Sequence, residues 1–315
     1  MMAVQNKAKE GRYWNKERLH QNFKKNWMLY AMFIPVFLAV FLFTIVPTIN
    51  NLVLTFKDYN HVSLGTSANV GLKNYKEFFG DPNFTSYLAN TLVLNLLILL
   101  IGFPGAIIVA VLLFENKNKH VKNFTQTATF LPYFISIVVV TGIVKQFFDP
   151  NTGLMVLLFG DGAKYLYDKP HAFRWVYSIM DVWQTLGYNV LIYYAALTTI
   201  DLTLYEAAEI DGAGRFRRFL SVTVPGIMPT IIITLLLRIG KIMQMGAEKV
   251  LLLQTVGNRA TSEILGTYAY NKALAGMNPN FGLAAVAGLF DAVVAIILIY
   301  LSNKSAKRIS KESLW

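Results

Sequence analysis

The sequence predicts an all-α membrane protein with six transmembrane helices and both termini in the cytoplasm. Three observations predict it: the composition, six long apolar windows, and the distribution of cations between them. Of 315 residues, 55% are hydrophobic and 15% are charged, whereas soluble domains average roughly 45–50% and about 25%. The mean hydropathy is +0.44. These values exclude an ordinary soluble protein.

A helix needs about 20 mostly apolar residues to cross the hydrocarbon layer, because each residue adds about 1.5 Å and every backbone polar group needs an internal partner. Six windows meet this requirement. They cover residues 27–49, 87–114, 125–148, 173–199, 225–247 and 282–303.

The orientation follows from the positive charges, since Lys and Arg near the ends of spans are retained in the cytoplasm. The first, third, fifth and seventh segments outside these windows hold 17 Lys and Arg residues in total. The second, fourth and sixth segments hold 8. Both termini are therefore predicted to be cytoplasmic. The net charge of +11 is then a consequence of topology, and no nucleic-acid partner is expected.

The sequence offers little for catalysis or metal binding. It has no cysteine, and its four histidines are scattered singly through polar segments, so no metal site is expected. A phosphate-binding G-x-x-x-x-G-K-[ST] loop is absent from the sequence, as are the short hydrolase motifs. We predict no catalytic residues and no enzymatic activity in this chain.

The loop at residues 204–225 carries the strongest signal. Residues 204–213 favour a short helix, because alanines and glutamates are good helix formers and Gly212 or Gly214 offers an end. A basic and aromatic run, residues 215–219, follows. An amphipathic helix at the membrane surface with snorkelling arginines would account for these features equally well.

Three short blocks in this loop resemble the EAA loop of permease subunits from binding-protein-dependent ABC importers. Gly212 lies ten positions before Val222, which is the spacing of the family motif, although valines replace its isoleucine and leucine. The run from Trp183 to Leu197 and the last residues of the chain are similar to the carbohydrate branch, closest to permeases for oligosaccharides from complex polysaccharides. The blocks are Glu206-Ala207-Ala208, Asp211-Gly212-Ala213 and Val222-Thr223-Val224-Pro225.

The resemblance implies the type I ABC importer permease fold in a bacterial cytoplasmic membrane. It also implies four kinds of partner: a second, homologous permease subunit, two copies of an ATPase, an extracytoplasmic solute-binding protein and an oligosaccharide. ATP and Mg²⁺ would bind to the ATPase, so this chain needs no cofactor. The residues that would couple to the ATPase are Glu206, Ala207, Ala208, Asp211, Gly212, Ala213 and Arg215.

Three ionisable residues are expected at similar depth within the spans: Asp181, Arg238 and Asp291. Charges in a membrane are costly and usually meet a partner or a wet cavity. We therefore expect Arg238 to pair with one or both carboxylates. With the cations paired internally, Arg238 and Lys241 give no argument for an acidic sugar as the substrate.

Polar residues recur at helical spacing in the fourth and fifth spans, and these stripes are expected either to line a polar path or to pack against the second permease subunit. Amides, hydroxyls and aromatic rings suit sugars. The candidates for the substrate pathway are Asp181, Gln184, Tyr188, Asn189, Tyr193, Arg238, Lys241 and Gln244.

The chain divides into four expected regions. They are a basic cytoplasmic segment (1–26), the first span with an outer loop (27–86), the importer transmembrane domain (87–303) and a cytoplasmic tail (304–315). Two rival functions remain: an ABC permease for another solute, such as glycerol phosphate, and an ion-coupled secondary carrier. The second requires repeated groups of broken helices, and we find no matching broken segment in the other half of the sequence.

Overall fold

The computed structural model describes residues 16–59, 65–244, 246–275 and 279–310. Parts of the predicted N-terminal segment and tail, and Met245 of the fifth span, lie outside these ranges. The described chain is helical apart from two short antiparallel strands, β1 (Lys57–Asp58) and β2 (Ala68–Asn69). The prediction of an all-helical protein is confirmed.

The first half of the described chain contains six α-helices. A π-helical turn, Phe41–Ile45, joins the first two, and a 3₁₀ turn, Leu131–Phe134, separates the last two. These helices are α1 (Lys16–Val40), α2 (Val46–Leu54), α3 (Lys73–Phe79), α4 (Phe84–Glu115), α5 (Lys119–Phe130) and α6 (Ile137–Phe147).

The second half adds nine more. Two 3₁₀ turns (Gly160–Ala163 and Leu166–Asp168) precede α8, and π-helical turns lie at Phe219–Thr223 and Asn271–Ala275. The helices are α7 (Leu154–Phe159), α8 (Pro170–Leu197), α9 (Leu202–Ile210), α10 (Arg215–Arg218), α11 (Val224–Gly240), α12 (Ala247–Leu253), α13 (Arg259–Ser262), α14 (Leu265–Tyr270) and α15 (Phe281–Ser310).

Four helical segments of the described chain are long and apolar enough to cross a membrane. They are Phe23–Leu54, Phe84–Glu115, Arg215–Gly240 and Phe281–Arg308. A bent pair, α5 with its 3₁₀ turn and then α6, makes a fifth if it counts as one span. Helix α8 has 28 residues, but it is too polar to meet the same criterion.

The third predicted span is not a continuous helix. It bends by 103° between Lys119–Phe134 and Ile137–Phe147. Pro132 lies at the start of the 3₁₀ turn, and Ser136 caps α6 by accepting a hydrogen bond from Val139 N. Proline has no backbone N–H group, so it cannot donate the hydrogen bond that would continue the helix. A hydropathy window averages over such a break and therefore misses it.

The fifth predicted span is also shorter than its apolar window. Helix α11 ends at Gly240, and the chain becomes helical again only at Ala247. A Cβ atom at Gly240 would lie 2.5 Å from the side chain of Ile299, so the glycine permits close packing on α15. The continuous helix that the prediction assumed for residues 225–247 therefore ends at Gly240.

Helix α8 is the central helix of the bundle and packs closely against the broken third segment. Gly187 faces the backbone of Thr129 and Phe130 so closely that any Cβ atom there would collide with it. Three residues earlier, the buried Gln184 amide donates a 2.9 Å hydrogen bond to Ile135 O. This bond satisfies a carbonyl that the break leaves outside a helix.

Two buried asparagines, Asn90 and Asn258, join segments of the bundle that are far apart in the sequence. Asn90 on α4 donates to Ala260 O and Glu263 O, both at 2.9 Å. Asn258 is fully buried and donates to Leu253 O and Tyr167 O. The segment that contains α12 and α13 is thereby fixed against α4 and the start of α8.

We predict that Gly187→Ala lowers the melting temperature of the assembled transporter, because the new methyl group meets backbone that cannot change rotamer. Overpacking of this kind costs about 1–3 kcal/mol. Thermal unfolding of the detergent-solubilised complex measures the change. The control is Gly105→Ala on α4, where the nearest side-chain atom is 3.8 Å from the new Cβ. Equal effects of the two variants would contradict the close approach.

Candidate coupling segment and polar path

Residues 201–218, called the coupling segment below, overlap the predicted loop at residues 204–225 and begin with a well-formed helix cap. Asp201 accepts a 3.0 Å hydrogen bond from Thr203 N at the start of α9. This backbone hydrogen bond stabilises the charged carboxylate and lowers the pKa of Asp201 from its ordinary value. The helix start is thus fixed by a side chain that lies outside the apolar spans.

The end of α9 depends on Gly212. Its φ is +75°, a left-handed conformation that favours glycine. Ala213 N donates to Ala208 O at 2.9 Å and Gly212 N donates to Glu209 O at 3.0 Å, which together form a Schellman cap. Gly214 then starts α10 with an ordinary negative φ. The sequence predicted that the helix ends at Gly212 or at Gly214, and in the structure Gly212 caps α9.

The coupling segment is attached to the bundle on one side. Tyr205 on α9 shares a 3.0 Å hydrogen bond with Thr223, and its ring lies 6.0 Å from that of Phe114. Glu209 forms a 2.8 Å ion pair with Arg218. Two contacts therefore bind α9 to the continuous helix Arg215–Gly240.

The other side of α9 is open. Glu206 and Ala207 are exposed, and Ile210 is 87% exposed. Of the remaining predicted coupling residues, Ala208 and Ala213 are half-buried, whereas Asp211, Gly212 and Arg215 are exposed. The segment presents a small face with an acidic and an apolar side chain, held in a fixed position by its inner contacts.

The predicted pairing of Arg238 with Asp181 or Asp291 is wrong. Asp181 instead forms a 2.5 Å ion pair with Lys249, and the two side chains are only 13% and 17% exposed. The chain leaves α11 at Gly240 and brings Lys249, on α12, back to α8. The depth argument assumed one helix through this region, so it could not find Lys249.

Arg238 and Lys241 have no carboxylate within ion-pair distance among the residues that the structure describes. Asp291 has none either, and one of its carboxylate oxygens is buried without a hydrogen bond. Its neighbours along α15, Phe290 and Val294, pack against an apolar cluster. The three residues predicted to form a shared charged layer are therefore not brought into contact.

Arg238 and Lys241 both border two open cavities that have polar and apolar walls. A cavity of about 250 Å³ is also lined by Asp181, Gln244 and Lys249. A second cavity, of about 270 Å³, is lined by Tyr133, Thr185, Tyr188, Asn189, Thr234 and others. The polar stripes of α8 and α11 thus meet along one open face of the chain.

Two tyrosines form an aromatic stack on this face. The rings of Tyr133 and Tyr188 lie 4.9 Å apart with an interplanar angle of 12°, and the side chains are 43% and 46% exposed. Sequence reasoning selected Tyr188 but not Tyr133. The break at Leu131–Phe134 places Tyr133 here, and Pro132 was its one visible signal.

Two other predicted pathway residues, Gln184 and Tyr193, are buried between segments of the bundle. Gln184 does not share an open face with Asp181 and Tyr188, because it is buried against the broken segment. Tyr193 is 3% exposed and shares a 2.8 Å hydrogen bond with Thr234 on α11, beside a small cavity of about 50 Å³. Both residues connect helices.

Comparisons with known proteins identify the family. Residues 89–311 match the family described as "Binding-protein-dependent transport system inner membrane component". The chain belongs to this family. The permease resembles "Protein LplB" of Bacillus subtilis (strain 168), with 36% identity over 93% of this chain and 92% of the relative.

Other relatives agree. The "Polygalacturonan/rhamnogalacturonan transport system permease protein YteP" of the same bacterium is 36% identical over 91% of this permease and 90% of the relative. A chain from the crystal structure of a bacterial alginate ABC transporter, in complex with an alginate pentasaccharide-bound periplasmic protein, superposes with a TM-score of 0.85. That chain is 33% identical and is matched over 94% of this permease and 100% of its own length.

These matches confirm the resemblance to ABC importer permeases and the type I permease fold. The chain is a multi-pass membrane protein and a translocation component, not an enzyme. Family membership implies that a solute-binding protein and an ATPase act with it. An ion-coupled carrier no longer accounts for the sequence.

We predict that Asp181→Asn and Lys249→Met each destabilise the permease by about 3 kcal/mol, because each leaves one mostly buried charge unpaired. The double variant should lose much less stability than the sum of the losses in the two single variants. Thermal unfolding of the four proteins in a double-mutant cycle measures the coupling.

A suitable control is Lys164→Met, which removes the exposed ion pair with Asp161 and should change stability little. Strictly additive effects of Asp181→Asn and Lys249→Met would contradict the pairing.

Proposed function

We propose that this chain forms half of the transmembrane path of an ATP-driven importer for an oligosaccharide, and that α9 is the element through which an ATPase moves it. The geometry of α9 carries the proposal. Glu206 and Ile210 are exposed on one side, and Tyr205 and Glu209 attach the other side to the helix Arg215–Gly240. A force applied to the open face would pass into a membrane-spanning helix.

In the proposed topology the chain crosses the membrane six times, with both termini in the cytoplasm. The broken pair α5 and α6 counts as one crossing. Helix α8 counts as another, since its 28 residues extend over about 42 Å at 1.5 Å per residue. Its polar residues then face the path or neighbouring helices, and the coupling segment lies on the cytoplasmic side.

The proposed assembly contains a second, similar permease subunit, two copies of an ATPase and an extracytoplasmic binding protein, in a bacterial cytoplasmic membrane. ATP and Mg²⁺ bind to the ATPase subunits. The polar face with Tyr188, Asn189 and Lys241 then faces the second subunit across the path. A heterodimer is proposed from the resemblance to carbohydrate importers.

The relatives support an oligosaccharide derived from a polysaccharide. One is named for polygalacturonan and rhamnogalacturonan transport, and another, from Bacillus subtilis, for arabinooligosaccharides. Two solved relatives are chains of bacterial ABC transporters for alginate, and one of these transporters imports alginate as an acidic polysaccharide. A wet path with aromatic and amide groups fits a ligand of this class.

The first test uses a matched pair of glycines in the coupling segment. A Cβ atom would find open space at both Gly212 and Gly214, but only Gly212 has a positive φ. Gly212→Ala should distort the end of α9 and lower ATP-dependent uptake severalfold, because an L-residue pays about 1–2 kcal/mol for that conformation. Gly214→Ala should transport at the wild-type rate. Uptake into proteoliposomes that contain the complete transporter measures both, and equal rates would remove the cap of α9 from the mechanism.

The second test reverses the exposed charge. Glu206→Arg should leave membrane insertion intact, since the side chain contacts solvent, and should abolish the coupling of ATP hydrolysis to uptake. Glu206→Gln serves as the control for size. The ratio of sugar transported to ATP hydrolysed measures coupling, and an unchanged ratio in the arginine variant would contradict the proposal.

A further inference from the structure

Two cations, Arg238 and Lys241, stand on the wall of the proposed path. In the part of the chain that the structure describes, no carboxylate lies within 4 Å of Arg238 or Lys241. Arg238 is half-buried and Lys241 is exposed. Cations at membrane depth are costly and are retained where they meet a partner or a wet pathway. An ion pair between Arg238 and Asp181 would have explained why Arg238 is there, but Asp181 pairs with Lys249 instead.

The cavities show where these cations act. Arg238 borders the 250 Å³ cavity, the 270 Å³ cavity and the small cavity between α8 and α11, and Lys241 borders the first two. The two side chains therefore lie where the polar spaces of this chain meet. A solute that passes along the open face would pass both.

The local charge is positive after pairing. In the 250 Å³ cavity, Asp181 is neutralised by Lys249, which leaves Glu248 as the one other carboxylate against Arg238 and Lys241. None of the residues described along the 270 Å³ cavity is acidic, and the same two cations line it. An anionic solute would thus meet a favourable potential on the side of the tyrosines.

The second cavity also has the groups that bind sugar rings. The stacked Tyr133 and Tyr188 present an exposed aromatic surface beside it. The Asn189 amide donates to Thr185 O at 3.1 Å, which leaves its carbonyl oxygen to accept from a sugar hydroxyl. Aromatic surface, amide and two cations are thus combined within one cavity.

We propose that the path is built for acidic oligosaccharides, and that Arg238 and Lys241 bind the carboxylate of a uronate residue while Tyr133 and Tyr188 contact its ring. The guanidinium fork of Arg238 suits the two oxygens of a carboxylate. A neutral sugar can accept hydrogen bonds from these cations, but only an anionic group forms the stronger charge-assisted bonds that offset their desolvation. This inference rests on the proposed function and specifies its substrate class.

The test compares the uptake of trigalacturonate with that of its methyl ester. The complete transporter with its binding protein and ATPase is reconstituted in proteoliposomes. Arg238→Gln and Lys241→Gln should each lower kcat/KM for trigalacturonate about tenfold to a hundredfold, which is the size of one hydrogen bond to a charged group. Arg238→Lys should recover only part of the loss, because lysine keeps the charge but cannot form the bidentate contact. Lys164→Gln, which removes a cation from an outer segment, should transport as the wild type does.

Each result has a stated meaning. Undiminished trigalacturonate uptake by Lys241→Gln and by the double variant would overturn the inference. If Arg238→Gln prevents assembly of the complex, uptake by Lys241→Gln alone tests the inference. The Lys241 side chain is exposed on the cavity wall, so its replacement should not affect folding. A higher kcat/KM for a sulfated trisaccharide than for trigalacturonate would overturn the assignment to carboxylates.

The same experiment separates this inference from the proposed function. ATP-dependent uptake of the methyl ester as efficient as that of the acid would overturn the inference alone. ATP-dependent uptake of a neutral oligosaccharide but of neither galacturonide would overturn the inference and leave the proposed function standing. An absence of ATP-dependent uptake of every oligosaccharide tested would contradict the proposed function itself.

Discussion

The close approach of α8 to the broken third segment is the constraint on which the arrangement of the polar path depends. Gly187 lets two backbones meet, and Gln184 satisfies the carbonyl of Ile135 that the break exposes. In lipid an unsatisfied carbonyl costs several kcal/mol, so the break is tolerable only against a helix with such groups. The same contact places Tyr133 on Tyr188.

A second consequence is mechanical. The helix Arg215–Gly240 is continuous and holds Thr223 near one end and Arg238 near the other. Helix α9 is bound to it through Tyr205 and Thr223, and α8 is bound to it through Tyr193 and Thr234. A displacement of α9 would therefore move the wall that contains Arg238 relative to α8. Coupling and substrate contact would then share one rigid element.

Much of this structure could be predicted from the sequence, and the failures have physical causes. Composition gave the helical class, and the order of blocks around Glu206 and Gly212 gave the family. Local signals specified the turn after α9, because only glycine readily adopts a positive φ. In contrast, hydropathy windows count residues and cannot see where a helix bends. They therefore missed the break near Pro132 and the end of α11 at Gly240.

The pairing of charges shows the same limit. Depth along an ideal helix placed Arg238 level with Asp181, but the chain turns back after Gly240 and presents Lys249 instead. Such a contact depends on how α12 is positioned after α11 ends at Gly240, which helical periodicity in the sequence does not describe. Because that pairing was wrong, Arg238 became available for a substrate, and the reason for setting aside an acidic sugar no longer holds.

The most direct measurement of the central claim uses the absence of cysteine from the chain. A single cysteine replaces the exposed Ala207 on α9, or the exposed Asn151 on a segment that the proposed topology places outside the cytoplasm. Intact cells and everted vesicles are treated with a membrane-impermeant maleimide. We expect Ala207→Cys to react only in everted vesicles, and there only when the ATPase has been removed, and Asn151→Cys to react only in intact cells. Labelling of Ala207→Cys in intact cells, or equal labelling in everted vesicles with and without the ATPase, would contradict the account.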